Sequence, residues 1–328
     1  MPFEVLLPHE LDYDRYARMQ RDSYAALLRN AGVSGDFMNP TYYRWKYNPP
    51  AGPGRIALYR EGDEVFSANA MFPLVIHSGS RSIIGWQSCD VATVPEVRGS
   101  GNGRPALYLG CLRELRKQIT KDEIFFGYPN ANVKLGFLRF GWIENSIIPT
   151  YVKAAIVPGG RHDQHVQQVA KFDTALELLA VKLAAGKKTM LDRSAAYLNW
   201  RYPEHPVHKY EMFEYRDGMS LEGFLVIREA AIMGRRFALI MDLWGSDLQA
   251  KGALFSTATR WARARRIPYL TMVGNYLNTI SALRFGYVHI PSTFLPKKQV
   301  LMGSGAGPES SSLMNSEWIV QLGDWDGF

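Results

Sequence analysis

The chain has 328 residues, 47% hydrophobic and 21% charged, long for one compact domain and comfortable for two. It has no run of about 18 apolar residues to span a membrane, and its start, MPFEVLLPHELDYDRY, lacks the basic head and apolar stretch of a signal peptide. The only cysteines, Cys89 and Cys111, make neither a metal-type spacing nor a disulfide framework, and the net charge of +7 is dispersed.

These features point to a reducing, cytoplasmic setting. Arg260–Arg266 (RWARARR), the densest basic run, reads as the exposed face and end of one helix, so no nucleic-acid partner is expected. Along the chain, Phe3–Leu7 reads as a short strand, and Leu11–Leu28 has apolar residues at helical spacing. Arg55–Arg60 and Val65–Ile76 flank Glu61-Gly62-Asp63 as a hairpin, and Ile83–Val94 continues as a strand after the Ser78-Gly79-Ser80 turn. Pro105–Gln118 reads as a helix, Glu123–Tyr128 as a strand, Val133–Phe140 as a helix and Ile147–Ile156 as a closing strand. Antiparallel strands followed by strand–helix–strand make an α+β mixed sheet with a parallel step inside it. The same order returns from about Phe172, after a break at Pro158-Gly159-Gly160-Arg161-His162. Gly303–Ser312 reads as a surface loop before a last strand at Trp318–Leu322.

That return is written in the letters. Tyr42-x-x-Trp45-Lys46-Tyr47 reappears as Tyr197-x-x-Trp200-Arg201-Tyr202, 155 residues on. Tyr59-Arg60-Glu61-Gly62 reappears as Tyr215-Arg216-Asp217-Gly218, and Leu138-Arg139-Phe140-Gly141-Trp142 as Leu283-Arg284-Phe285-Gly286-Tyr287. Three matches in one order indicate a duplicated unit. We therefore expect domains at 1–157 and 171–328, joined by a linker at 158–170. Trp45 and Trp200 read as core or interdomain packing residues before they read as sugar platforms. His205 and His208, around Pro206, read as a loop, and no metal is expected.

Between a strand and a helix stands Val91-Ala92-Thr93-Val94-Pro95-Glu96-Val97-Arg98-Gly99-Ser100-Gly101-Asn102-Gly103. Three alternate glycines let backbone N–H groups turn inward at the start of a helix, where an anion is favoured, and Arg98 adds a positive charge. The run is a candidate pyrophosphate cradle. It is neither a dinucleotide fingerprint, because Arg104 stands where the third glycine is needed, nor a P-loop, because no Gly-Lys-[Ser/Thr] occurs.

Arg98-Gly99-Ser100-Gly101-Asn102-Gly103 resembles the Arg/Gln-x-x-Gly-x-Gly/Ala motif of the GCN5-related N-acetyltransferases (GNAT), and Asn130 with Gly141-Trp142 resembles their second signature. The likeness covers residues 55–145, and the duplicated layout is similar to tandem GNAT proteins, including those acting on cell-surface saccharides or their precursors. The resemblance implies acetyl-CoA or another acyl-CoA as co-substrate and a small-molecule or saccharide acceptor, bound without a metal. It implies that Thr93 and Val94 lie beside the pantetheine arm, and that Arg98, Gly99, Ser100, Gly101, Asn102, Gly103 and Asn130 complete the cofactor site.

In the second copy the interval from Asp242 to Asn275 is 33 residues, against 40 from Asp90 to Asn130, and the glycine run is gone. Asp247 adds a carboxylate that repels phosphate. The second unit is thus expected to be degenerate.

Asp90 is the carboxylate best placed as a general base, although a strand residue of this kind also suits a salt bridge. Glu96 reads as solvated and Cys89 as a small buried hydrophobe. The leaving-group Tyr that the family often carries is replaced by Phe137, and by Ala282 in the second copy, which leaves Tyr128 as a substitute. The readings are an acyl-CoA-dependent acyltransferase, first an N-acetyltransferase on an amine such as an amino sugar. The alternatives are O-acylation of a saccharide hydroxyl, an aminoacyl transferase of tandem-GNAT type, and a non-catalytic acyl-CoA-binding module. Acyl length and oligomeric state leave no mark in the letters.

Overall fold

The computed structural model describes residues 3–31, 34–97, 107–156, 163–186, 188–232, 234–295 and 298–325. The glycine-run residues Arg98, Gly99, Ser100, Gly101, Asn102 and Gly103, and the 158–162 break, lie outside them.

In chain order the first part comprises β1 (Phe3–Leu6), α1 (Tyr13–Ala31), α2 (Pro40–Lys46), β2 (Arg55–Glu61), β3 (Glu64–Ser78) and β4 (Arg81–Thr93). It continues with α3 (Leu107–Arg116), β5 (Ile124–Gly127), α4 (Ala131–Arg139) and β6 (Ile143–Ile147). Next come β7 (Thr150–Ala154), β8 (Val166–Val169), α5 (Ala175–Ala184), β9 (Thr189–Leu191), α6 (Ala195–Arg201), β10 (Glu211–Asp217), β11 (Ser220–Ile232) and β12 (Arg235–Gly245). The remainder is α7 (Leu248–Ala264), β13 (Tyr269–Val273), α8 (Thr279–Arg284), β14 (Val288–Ile290), β15 (Val300–Gly305), α9 (Pro308–Met314) and β16 (Trp318–Ile319). Among the described residues no helix is long and apolar enough to cross a membrane.

Local chemistry accounts for the elements that matter below. Tyr13, Tyr16, Ala17, Gln20 and Ser23 are buried at spacings of three and four, the single face of an amphipathic α1. Helix α2 starts on Pro40, preset for a first helical position, with the Asn39 side chain accepting from the Tyr42 N–H at 3.0 Å. Its counterpart α6 is capped by Ser194, whose side chain accepts from Tyr197 N–H. The β2–β3 hairpin turns through Gly62 at φ +60°, a left-handed angle that costs glycine little.

The chain forms two compact units, Met1–His77, Arg81–Ser146 and Val300–Glu317 in the first, Ser78–Ser80, Ile147–Gln299 and Trp318–Phe328 in the second. Strands of the first unit run in the order β1-β2-β3-β4-β5-β15-β6, and those of the second β8-β10-β11-β12-β13-β7-β14. The orders correspond strand for strand, with a parallel step at β4–β5 in the first and at β12–β13 in the second. The two sheets have exchanged one strand: β7 pairs with β13 and β14, while β15 pairs with β5.

The structure corrects four sequence expectations. The division at 157 and 171 does not separate the units, because strand partners are chosen by tertiary packing that the local pattern does not encode. Within the expected linker, β8 pairs with β10. Gly303–Ser312 is strand and helix instead of loop: the side chain of Met314 and the backbone of Phe125 crowd Gly303, so close approach, not turning, explains that glycine. Ile147–Ile156 resolves into the end of β6 and β7.

Trp86, Leu112, Phe125, Phe137, Trp142 and Met302 lie in the core of the first unit. Tyr151, Leu225, Ile240, Phe255, Trp261 and Tyr287 lie in that of the second. Burying each such large apolar side chain contributes roughly 1.5–3 kcal/mol.

Candidate functional site

Strands β4 and β5 pair in parallel from Gly85↔Ile124 to Ser88↔Gly127. There the ladder ends, while β4 runs on to Thr93. Two residues past the last pair, Asp90 adopts φ +51°, a left-handed angle that Asp tolerates better than most side chains. Beyond it the strand's direction can be read from its partners. Ala92 O accepts from Ser67 Oγ at 2.8 Å, and Val94 N–H donates to Phe66 O at 2.9 Å, so both face β3. By alternation, the main-chain groups of Val91 and Thr93 face the opposite side, from which β5 has diverged. Tyr24 Oη, from α1, donates to Val91 O at 2.7 Å on that side.

The kink is held by a buried polar network. Lys46 Nζ lies 2.8 Å from the Asp90 carboxylate, with the two side chains 3% and 10% exposed, and Tyr47 Oη donates to Asp90 Oδ2 at 2.7 Å. Tyr47 Oη is 2.7 Å from Tyr16 Oη, and Gln20 Nε2 donates to Tyr16 Oη at 2.9 Å and to Asp90 O at 3.0 Å. The donors therefore run from the Gln20 amide to Tyr16, from Tyr16 to Tyr47 and from Tyr47 to Asp90. Burial, then the Asp90 charge, pushes both phenols well above their usual range, so they stay neutral donors.

The second unit repeats the device. Tyr202 Oη donates to Asp242 Oδ2, and Arg193 Nε donates to Asp242 Oδ1 at 2.9 Å. Arg193 also donates from its Nη2 to Asp324 Oδ1 at 2.6 Å, and all three charged residues are buried. The repeated aromatic motif thus ends on a Tyr that reaches across to a strand Asp in both units. Sequence reasoning recorded the repeat but missed this pairing; the repeated Tyr47 and Tyr202 were its signal. Tyr16, Gln20 and Tyr24 left no comparable signal, because their partners are remote in sequence; Lys46 shares the repeat with Tyr47, but its partner is equally remote.

The other expected residues have plainer settings. Thr93 Oγ1 is 3.0 Å from Ser67 Oγ. Asn130 caps α4, accepting from Asn132 N–H at 3.0 Å. Tyr128 comes directly after the last paired residue of β5, half-buried, its ring edge-on to Phe126. Glu96 is exposed in a short turn.

Phe137 is buried against Trp142. Cys89 and Cys111 are buried thiols outside any disulfide, and burial pushes Cys111 up to about 12. Trp200 is buried, whereas Trp45 is half-buried beside Tyr42. In the His205–His208 turn, His205 Nδ1 accepts from the N–H groups of Val207 and His208. Burial holds His208 down, to about 4.

No protein-family model matches the chain, and a search of curated proteins finds no significant match. Solved structures do resemble it. A conserved protein of unknown function from Enterococcus faecalis V583, described as a probable N-acyltransferase, is 13% identical with a TM-score of 0.66, the match covering 95% of this chain and 74% of that one. A GCN5-related N-acetyltransferase from Anabaena variabilis is 12% identical with a TM-score of 0.65, covering 93% and 73%. A tandem GNAT protein from the clavulanic acid biosynthesis pathway is 12% identical with a TM-score of 0.57, covering 93% of this chain and 99% of that one. The likeness is one of fold: the chain is built of two GNAT-like units in tandem.

Proposed function

We propose that the chain is an acyl-CoA-dependent acyltransferase, that the first unit binds the thioester, and that acetyl is moved from acetyl-CoA to an amine. The observation that carries this reading is the parting of β4 from β5 after Ser88 and Gly127, with Val91 and Thr93 turning main-chain groups into the gap. A thioester carbonyl placed there meets a backbone N–H donor, the requirement for stabilising a developing oxyanion. The glycine run from Arg98 to Gly103, with its alternating small residues and single base, suits the diphosphate of the same molecule.

In the reaction the amine nitrogen attacks the thioester carbon, the C–N bond forms and the C–S bond breaks. The amine's surplus proton passes to solvent. A thiol of ordinary pKa, about 8.5, leaves as thiolate, and Tyr128, directly after the last paired residue of β5, is the hydroxyl we assign to protonate it, regaining its own proton from solvent. Both oxygens of Asp90 are engaged by Lys46 and Tyr47, so we assign this carboxylate to holding the kink instead of to proton abstraction. An alcohol, with its higher pKa, needs a base more than an amine does. The engaged Asp90 therefore favours N-acylation over O-acylation, and amino sugars head the acceptors to test.

The test is thiol release on mixing the protein with acetyl-CoA and a panel of amines, amino sugars and neutral sugars. We expect release with an amine or amino sugar and less from Tyr128→Phe. Saturable binding of acetyl-CoA without release on any acceptor would overturn catalysis, and no binding would overturn the whole reading.

A further inference from the structure

The gap in the second unit is filled by the chain itself. Strands β12 and β13 pair only as far as Ile240↔Met272, after which β12 continues to Gly245. The segment Trp318–Trp325 lies against the chain just beyond β13 and against the free end of β12. Gly274 forms an antiparallel bridge with Gln321, and Asn275 N–H donates to Val320 O at 3.0 Å. The Asn275 side chain clamps the same stretch from both ends, donating to Trp318 O at 2.7 Å and accepting from Val320 N–H at 2.8 Å.

Gln321 Oε1 accepts from Leu243 N–H at 2.9 Å. Leu243 comes after Asp242 as Val91 comes after Asp90, and the Tyr202–Asp242 and Tyr47–Asp90 bonds fix that equivalence. A carbonyl oxygen therefore sits in the second unit where the thioester oxygen would meet Val91 in the first.

The rest of the second gap is closed in the same way. Arg193 and Arg201 hold Asp324, Gly323 and Trp325, and a Cβ on Gly323 would fall 2.6 Å from Asp242 Oδ2. A Cβ on Gly274 would fall 2.5 Å from Val320 O, so the approach of this segment is built into the glycine at that position. At the start of α7, where a diphosphate would lie, the Asp247 carboxylate already accepts from Ala250 N–H at 2.8 Å. Gln321 Nε2 is buried with no hydrogen-bond partner among the described residues, so the side chain is held through its carbonyl alone.

We propose that Trp318–Gln321 is a built-in occupant of the second gap, with the Gln321 amide carbonyl in the place of an acyl carbonyl. The second unit accordingly takes no acyl-CoA, and the chain binds one thioester, in the first unit. The assignment of that place rests on the acyl-CoA reading above; the internal occupant itself does not.

The test joins calorimetric titration with acetyl-CoA to hydrogen exchange on the full chain. One equivalent should bind. The Leu243 and Asn275 amides should be protected in the free protein and unchanged on adding acetyl-CoA, while exchange around Val91–Thr93 slows. Gln321→Met, which keeps the side chain's length and removes the acceptor, should speed exchange at Leu243 about tenfold. Asn275→Ala should do the same for Val320. Two equivalents bound, or exchange at Leu243 altered by acetyl-CoA, would overturn the proposal. If acetyl-CoA binds nowhere, the functional reading falls while the occupant is judged by exchange alone: an unprotected Leu243 amide, or no change in Gln321→Met, would sink it.

Discussion

Lys46 and Asp90 make the most informative pair to perturb. Their side chains are 3% and 10% exposed and 2.8 Å apart, so removing either partner takes this opposing charge from the other in the interior. Breaking a buried pair from one side typically costs about 3–5 kcal/mol. Here Lys46→Met leaves the carboxylate with the Tyr47 hydroxyl and a slightly open flank, which places the expected loss near the lower end, about 3 kcal/mol.

Asp90→Asn takes the opposing charge of this pair away from the ammonium but keeps an oxygen for Tyr47, and the expected loss is also about 3 kcal/mol. The double variant strands nothing. Its loss should fall short of the sum of the singles by about 2 kcal/mol or more, against an additivity error of about 0.5 kcal/mol. Urea titrations of the four proteins measure this. If the singles sum to the double, the pair is not coupled and the reasoning fails. Turnover of the same four proteins reads the role of Asp90: substantial activity restored in the double variant fits a carboxylate that holds the kink. Activity lost in Asp90→Asn and still absent in the double, with stability recovered, would make Asp90 a base.

Three further outcomes are expected of particular residues. Asn39→Ala and Ser194→Ala should each lower stability by about 1 kcal/mol, because each removes the side-chain cap of a two-turn helix; a urea midpoint that does not move would refute the capping role. Neither thiol should react with a disulfide reagent until the protein unfolds, since both are buried and Cys111 is pushed up to about 12; fast labelling of the folded protein would contradict this. Burial raises the Asp324 carboxyl from 3.8 to about 6, against the pull of Arg193. A raised folded-state pKa stabilises fully below about 4, and that contribution is lost as pH rises through about 6, by at most about 3 kcal/mol. Asp324→Asn keeps an oxygen for Arg193 and should flatten that part of the pH profile of the urea midpoint, whereas an unchanged profile would refute the assignment.

The sequence showed what depends on neighbours along the chain. Gly62 between two alternating strands declared its hairpin, and the helical spacing of apolar residues over Leu11–Leu28 declared α1. The duplication showed through its aromatic motif, and the loss of the glycine run foretold that the second unit differs.

What stayed hidden depends on partners far away in sequence. β7 and β15 carry the same kind of strand pattern whichever sheet receives them, so nothing local encodes the exchange. Gly303 and Gly305 looked like loop glycines because the groups that crowd them lie elsewhere in the chain. The Asp90 contacts obey the same rule: the partner Lys46 is 44 residues away, and only the fold brings it to the kink.

The strand exchange also bears on how the protein is made. β15 is inserted between β5 and β6, yet it is encoded about 150 residues after β6, and at roughly 5–20 residues per second a ribosome needs on the order of 10–30 seconds to reach it. For that interval the nascent first half carries β5 with an open edge. The protein therefore cannot mature half by half, and β7, synthesised early, must wait in turn for the strands that will flank it.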